Sequence, residues 1–192
     1  MVKLGFIVEG DTEKIILESD NFIKLLEKLR INFIPEIINT KGNGNLLPHN
    51  IEKHSQLLID KGATKIVILT DLDEDSCITL TKERIKPLEN HIVVVSVKQI
   101  ESWFLADTLA MRTFFSDETY EEQNPESHLI PFVEIHRLKL EKVGSGIGKS
   151  KIKLANTLVN RVDFSIERAA EHPNCSSAKY FIDKIKQVGI GQ

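Results

Sequence analysis

Short apolar runs alternate with helix-spaced apolar residues from Leu4 to Val97, and that alternation leaves few folds open. Leu4 to Val8 reads as a buried strand. Ile15, Ile16, Phe22, Ile23, Leu25, Leu26 and Leu29 then recur at helical spacing, with Asp11 or Thr12 as the predicted cap. Ile31 to Ile38 is rich in branched residues but contains Pro35, which cannot donate to a ladder and so predicts an edge strand. A loop over 40–45 leads into a helix over Leu46 to Asp60, ended by Gly62. Lys65 to Thr70 predicts a third strand, Thr79 to Leu88 a third helix, and His91 to Val97 a fourth strand of nearly continuous valine. Strands separated by helices cannot pair as hairpins. The order β-α-β-α-β-α-β therefore predicts an α/β fold with a mostly parallel four-stranded, Rossmann-like sheet and helices on both faces.

Beyond residue 100 the character changes. Ser102 to Phe115 reads as helix, Ser116 to Pro131 as an acidic loop or insertion, and the rest as helix interrupted at Gly144 to Gly148. The expected division is an α/β domain over 1–110 with a C-terminal helical extension, 111–192, packed on it.

In an open parallel sheet, ligands bind where the strands' carboxyl ends line up. Two acidic stretches fall there: Val8-Glu9-Gly10-Asp11-Thr12-Glu13 after the first strand, and Asp71-Leu72-Asp73-Glu74-Asp75 after the third. Carboxylates crowded at one edge repel each other unless a cation sits among them, and a hard divalent ion is the usual answer. If the chain stays extended, Asp71 and Asp73 leave the same face and can share Mg²⁺ or Mn²⁺. Gly10 allows a tight turn and close approach behind Glu9. Glu13 falls in the first turn of the following helix, where the helix dipole alone favours an acid. Glu101 follows the fourth strand at the same edge, as a further metal ligand or an exposed first-turn acid. Glu74 and Asp75 suit a turn or cap.

Glu9-Gly10 with Asp71-Leu72-Asp73 resembles the TOPRIM domain of topoisomerases, primases and several nucleases, where a glutamate follows the first strand and an Asp-x-Asp the third. The fuller stretch Val8 to Glu13 is similar to the OLD-type (overcoming lysogenization defect) nucleases, whose second glutamate joins the metal site. Gln99-Ile100-Glu101-Ser102-Trp103-Phe104-Leu105-Ala106-Asp107 is similar to a stretch of small stand-alone TOPRIM-like proteins. The resemblance covers about residues 1–110. It implies a TOPRIM-like sheet and a Mg²⁺- or Mn²⁺-dependent phosphodiesterase acting on nucleic acid, DNA in preference to RNA. Its metal ligands would be Glu9, Glu13, Asp71 and Asp73; Glu101 joins the candidates only by its place at the same edge. A downstream lysine assists catalysis in OLD-type nucleases, and Lys149, Lys151 or Lys153 is the expected counterpart, the first two nearest the loop; with Glu9, Asp71 and Asp73, Lys149 and Lys151 make up the expected catalytic set. OLD proteins carry an ATPase domain before the TOPRIM part, so the alternative is a non-catalytic or toxin-like subunit beside a separate ATPase, as in phage defence. A homodimer is a further expectation.

Other chemistries find little support. Gly144-Ser145-Gly146-Ile147-Gly148-Lys149-Ser150 has one residue too few between Gly144 and Gly148 for a phosphate loop, and no clear strand precedes it. The histidine spacings do not suit zinc, no nucleophile elbow appears, and Cys77 and Cys175 are too few for a disulfide framework. The absence of a signal-peptide pattern and of a long apolar stretch predicts a cytoplasmic protein without a membrane span. Net charge is only −3, which argues against gripping nucleic acid by overall charge. It is unevenly spread: Glu101 to His136 holds eight acids and one base, Arg137 to Gln192 eleven bases and five acids. Solvated helix faces explain that; a positive surface for a phosphate-bearing partner is the alternative.

Overall fold

The computed structural model describes residues 2–190. Four strands, β1 (Lys3–Val8), β2 (Asn32–Asn39), β3 (Lys65–Asp71) and β4 (His91–Ser96), form one all-parallel sheet in the order β2-β1-β3-β4. The expected α/β architecture is thus present. Side chains alternate across the sheet, as a period of two requires. Leu4, Phe6, Val8, Val67, Leu69 and Val94 enter one apolar cluster, while Ile7, Ile66, Ile68, Val93 and Val95 enter the other. Burial on both faces is why β1 and β3 read as unbroken apolar runs.

The second face is covered by α3 (Pro48–Asp60) and α4 (Ile78–Ile85), which contribute Ile51, Leu58 and Ile85. The cover is close at Gly5: a Cβ there would lie 2.9 Å from a Leu58 methyl and 3.3 Å from the Ala63 Cβ. Glycine lets α3 settle onto the central strand. Pro35 sits in edge strand β2, where the register jumps from Leu4↔Phe33 to Phe6↔Ile37. The ladder bulges around the residue that has no N–H to give.

Two helical stretches expected to run through are each broken by a capping residue. The first becomes α1 (Asp11–Leu17) and α2 (Asp20–Lys28), because Ser19 donates its hydroxyl to the Ile16 carbonyl and accepts from the Phe22 N–H. The second becomes α5 (Glu101–Ala106) and α6 (Thr108–Phe115), with the buried Asp107 accepting from the Ala110 N–H. Asp107 also takes two guanidinium N–H groups of Arg168 and the Ser165 N–H, so its charge is fully partnered.

The remaining helices are α7 (Pro131–Val143), α8 (Lys151–Arg161), α9 (Ile166–Glu171) and α10 (Ser176–Ile190). Arg137 to Val143 lies in α7, as the helical pattern predicts. The glycine-rich stretch is a helix-to-helix connection: Gly144 closes α7 at φ +74, and the Ser150 hydroxyl caps α8 by accepting from Lys153 N–H. Leu154, Phe164, Phe181 and Ile185 belong to the same cluster as Phe6 and Val67. Residues beyond 110 therefore complete the core on the first face of the sheet. No helix among the described residues is long and apolar enough to cross a membrane.

Candidate functional site

The carboxyl ends of β1, β3 and β4 bring three chain segments together. Glu9 continues the ladder past β1, its N–H reaching the Leu69 carbonyl at 3.1 Å. Its Oε2 accepts from the Thr70 hydroxyl and, at 3.1 Å, from the Asp71 N–H. The early glutamate therefore lies against the later aspartate, across 62 positions of sequence. Asp71 ends β3 and is buried, and its Oδ1 accepts from the Ser96 hydroxyl and from the Ile100 N–H at 2.8 Å.

Glu13 and Glu101 enter from helices. Gly10 precedes α1 with extended backbone, and a Cβ on it would stand 3.0 Å from a Glu13 carboxylate oxygen. Glycine leaves room for Glu13 to fold back over the turn. Glu101, the first residue of α5, is 1% exposed. It accepts from the Thr12 hydroxyl at 3.4 Å and pairs with the Lys151 ammonium at 3.1 Å. That ammonium also donates to Gln99 Oε1 at 3.1 Å. Glu9, Glu13, Asp71, Glu101 and Lys151 all line one cleft of about 370 Å³.

Electrostatics in the cleft are strained by burial. Desolvation, opposed by a backbone hydrogen bond and reinforced by Glu9 and Glu101, pushes the Glu13 carboxyl up to about 8. Desolvation also raises Asp71 well above the carboxylate range, with Glu13 and Glu101 adding to it and the Ser96 hydroxyl opposing. The donors are all oxygens, the set is anionic, and burial beside other acids drives two members toward neutrality. That chemistry fits a hard divalent cation. Among the described residues no group of three or more histidine, cysteine, aspartate or glutamate side chains stands ready to hold an ion as placed. Binding one would require the carboxylates to close on it.

Asp73 does not share the face of Asp71. The chain leaves the extended conformation after β3 and Asp73 takes φ +46, its N–H bonded to the Lys98 carbonyl. Its carboxylate accepts from Gln99 Nε2 at 3.1 Å and from Asn43 Nδ2 at 3.5 Å, and lines a neighbouring cavity. Of the three candidate lysines only Lys151 lines the cleft; Lys153 lines another cavity, and Lys149 is exposed and has no hydrogen bond or ion pair among the described residues. Asp75 accepts from Thr81 and pairs with Arg84, the expected turn role. Trp103 and Phe104 are fully buried and pack α5 into the core.

Several partners escaped sequence reading. Gln99 bridges Asp73 and Lys151, while Thr12, Thr70 and Ser96 orient carboxylates. Strand-end position was the available signal, since Thr70 and Ser96 lie at the carboxyl ends of β3 and β4. Compared with known proteins, the chain matches no family model, no curated protein and no solved structure.

Proposed function

We propose that the chain is a Mg²⁺- or Mn²⁺-dependent phosphodiesterase of the TOPRIM/OLD type that cleaves nucleic acid. The observation that carries this reading is the meeting of Glu9, Glu13, Asp71 and Glu101 at the carboxyl edge of a parallel sheet, with Lys151 over them. The motif resemblance rests on Glu9, Glu13 and Asp71 of the same cleft, while its Asp73 lies in the neighbouring cavity.

Glu9, Asp71, Glu13 and Glu101 are the residues that would hold the ion. A divalent ion bound there supplies charge neutralisation for a phosphate and a water acidic enough to serve as nucleophile near neutral pH. The chain's own contribution is orientation. Thr70 and the Asp71 N–H fix one oxygen of Glu9, and Ser96 and the Ile100 N–H fix one oxygen of Asp71. Each carboxylate keeps its other oxygen for a ligand. Glu13, protonated near neutral pH without a cation, would be the residue to release a proton if a divalent ion were held there. Lys151, shared between Glu101 and Gln99, is placed to donate to a phosphate oxygen as negative charge develops.

The test is cleavage of plasmid and single-stranded DNA with Mn²⁺ by the purified protein and by Asp71→Asn, with thermal melting to confirm that the variant folds. Loss of at least about a hundred-fold in rate is expected. Equal cleavage by a folded Asp71→Asn sinks the assignment.

A further inference from the structure

Beside the acidic cleft lies a second cavity of about 510 Å³. Three chain segments run through both. Lys41 and Gly42 line the cleft and Asn43 the cavity; Asp71 lines the cleft and Leu72 to Asp75 the cavity; Glu101 lines the cleft and Gln99 the cavity. The Gln99 side chain links the two, bonded to Asp73 on one side and Lys151 on the other. The two spaces share these segments, so a group attached to a phosphate in the cleft has this cavity beside it.

We propose that the second cavity is a subsite for an unpaired nucleobase, with guanine the base that fits it best. This rests on the phosphodiesterase reading for its role and names the substrate more closely. The volume is that of a small-molecule site. Leu72, Leu129 and Ile130 supply apolar wall for a flat ring, the latter two 71% and 48% exposed. Asp73, Glu74 and Asp75 outnumber the single guanidinium of Arg84, so a phosphate is repelled and an N–H-rich group attracted.

Asp73 is prepared as the acceptor. Its backbone is locked in the left-handed region, and Gln99 and Asn43 use part of the four lone-pair sites of its carboxylate. Arg84 gives one terminal nitrogen to Asp75 at 3.0 Å, while its buried Nε has no hydrogen-bond partner among the described residues. Two adjacent N–H donors suit the Asp73 carboxylate, and the Arg84 guanidinium lining the same cavity suits an acceptor beside them. Guanine presents that set, N1–H and the 2-amino group beside O6; hypoxanthine lacks the amino group and uracil offers one ring N–H. In a duplex this edge is paired, so the nucleotide must be single-stranded or extruded.

The test omits both metal and phosphate. The full-length protein is titrated in EDTA with guanosine, inosine and uridine, followed by NMR chemical shifts. Guanosine is expected to bind about ten-fold or more tightly than the others. Asp73→Asn, which keeps the shape and tolerates positive φ, should reduce guanosine to the level of inosine. Ile130→Arg, at an exposed position, should block all three. Equal affinity for the three nucleosides, binding of none, or an unchanged preference in Asp73→Asn overturns the inference. A failure here leaves the phosphodiesterase reading standing, and a protein that prefers guanosine but cuts no DNA keeps the subsite and loses the reaction.

Discussion

Glu13 shows what one buried acid costs. Its ordinary pKa is 4.5, and in the folded chain it is pushed up to about 8. Below pH 4.5 the proton is bound in folded and unfolded chains alike, and nothing is lost. Between 4.5 and 8 the unfolded chain releases the proton while the folded one keeps it, so stability falls as pH rises; above 8 the loss is constant. In EDTA, Glu13→Gln should therefore match the parent near pH 5 and melt higher by about 5 °C at pH 8. Adding Mn²⁺ at pH 8 should raise the melting temperature of the parent more than that of the variant. A variant less stable than the parent at pH 8 in EDTA contradicts the burial argument. At this scale the acids themselves were legible, because Glu9, Asp71 and Glu101 sit where strands end. The direction of Asp73 was not. One left-handed residue turns it into another cavity, and that φ is set by the Lys98 carbonyl and the Gln99 amide, which arrive from another strand end.

At the scale of elements, α10 is held at its start by a residue outside it. The Glu126 carboxylate accepts from the backbone N–H groups and hydroxyls of both Ser176 and Ser177, standing in for a helix's own cap. Ser177 in turn accepts from the Trp103 indole at 2.7 Å and the Val97 N–H at 3.2 Å, so one carboxylate ties α10 to α5 and to the end of β4. Glu126→Ala should cost about 2 kcal/mol in urea unfolding, the worth of a charged hydrogen-bonded cap. A loss under about 0.5 kcal/mol would mean the serines cap α10 unaided. The four strands were legible because both faces of the sheet are covered, which makes them plain apolar runs. The helix breaks were hidden for the opposite reason. Ser19 and Asp107 interrupt no apolar period, and what stops each helix is a side-chain bond that competes with the backbone.

Over the whole molecule, the acidic and basic stretches neutralise each other. Asp117 pairs with Lys142, Asp107 with Arg168, and Glu101 with Lys151, each joining the acidic run to the basic one. The excess of bases after residue 137 is thus partly spent inside the fold. The apolar contacts follow the same path: Phe181 packs on Phe22 and Trp103, and Phe164 on Phe104, with ring centroids 4.7–5.7 Å apart. A fragment ending at residue 110 would lose the Phe181 and Phe164 rings that pack on Phe22, Trp103 and Phe104. Such a fragment should show no cooperative melt and should aggregate, and it would lack Lys151. The full chain should unfold in urea as one transition. Its single tryptophan is Trp103, fully buried where α5 meets α10, so fluorescence reports the junction while far-UV circular dichroism reports the helices throughout. Coincident curves are expected for a shared core. If the tryptophan signal moves at lower urea than the ellipticity, or the fragment melts cooperatively alone, the helical part is a separate folding unit. The cleft, built from both, would then depend on how the two dock.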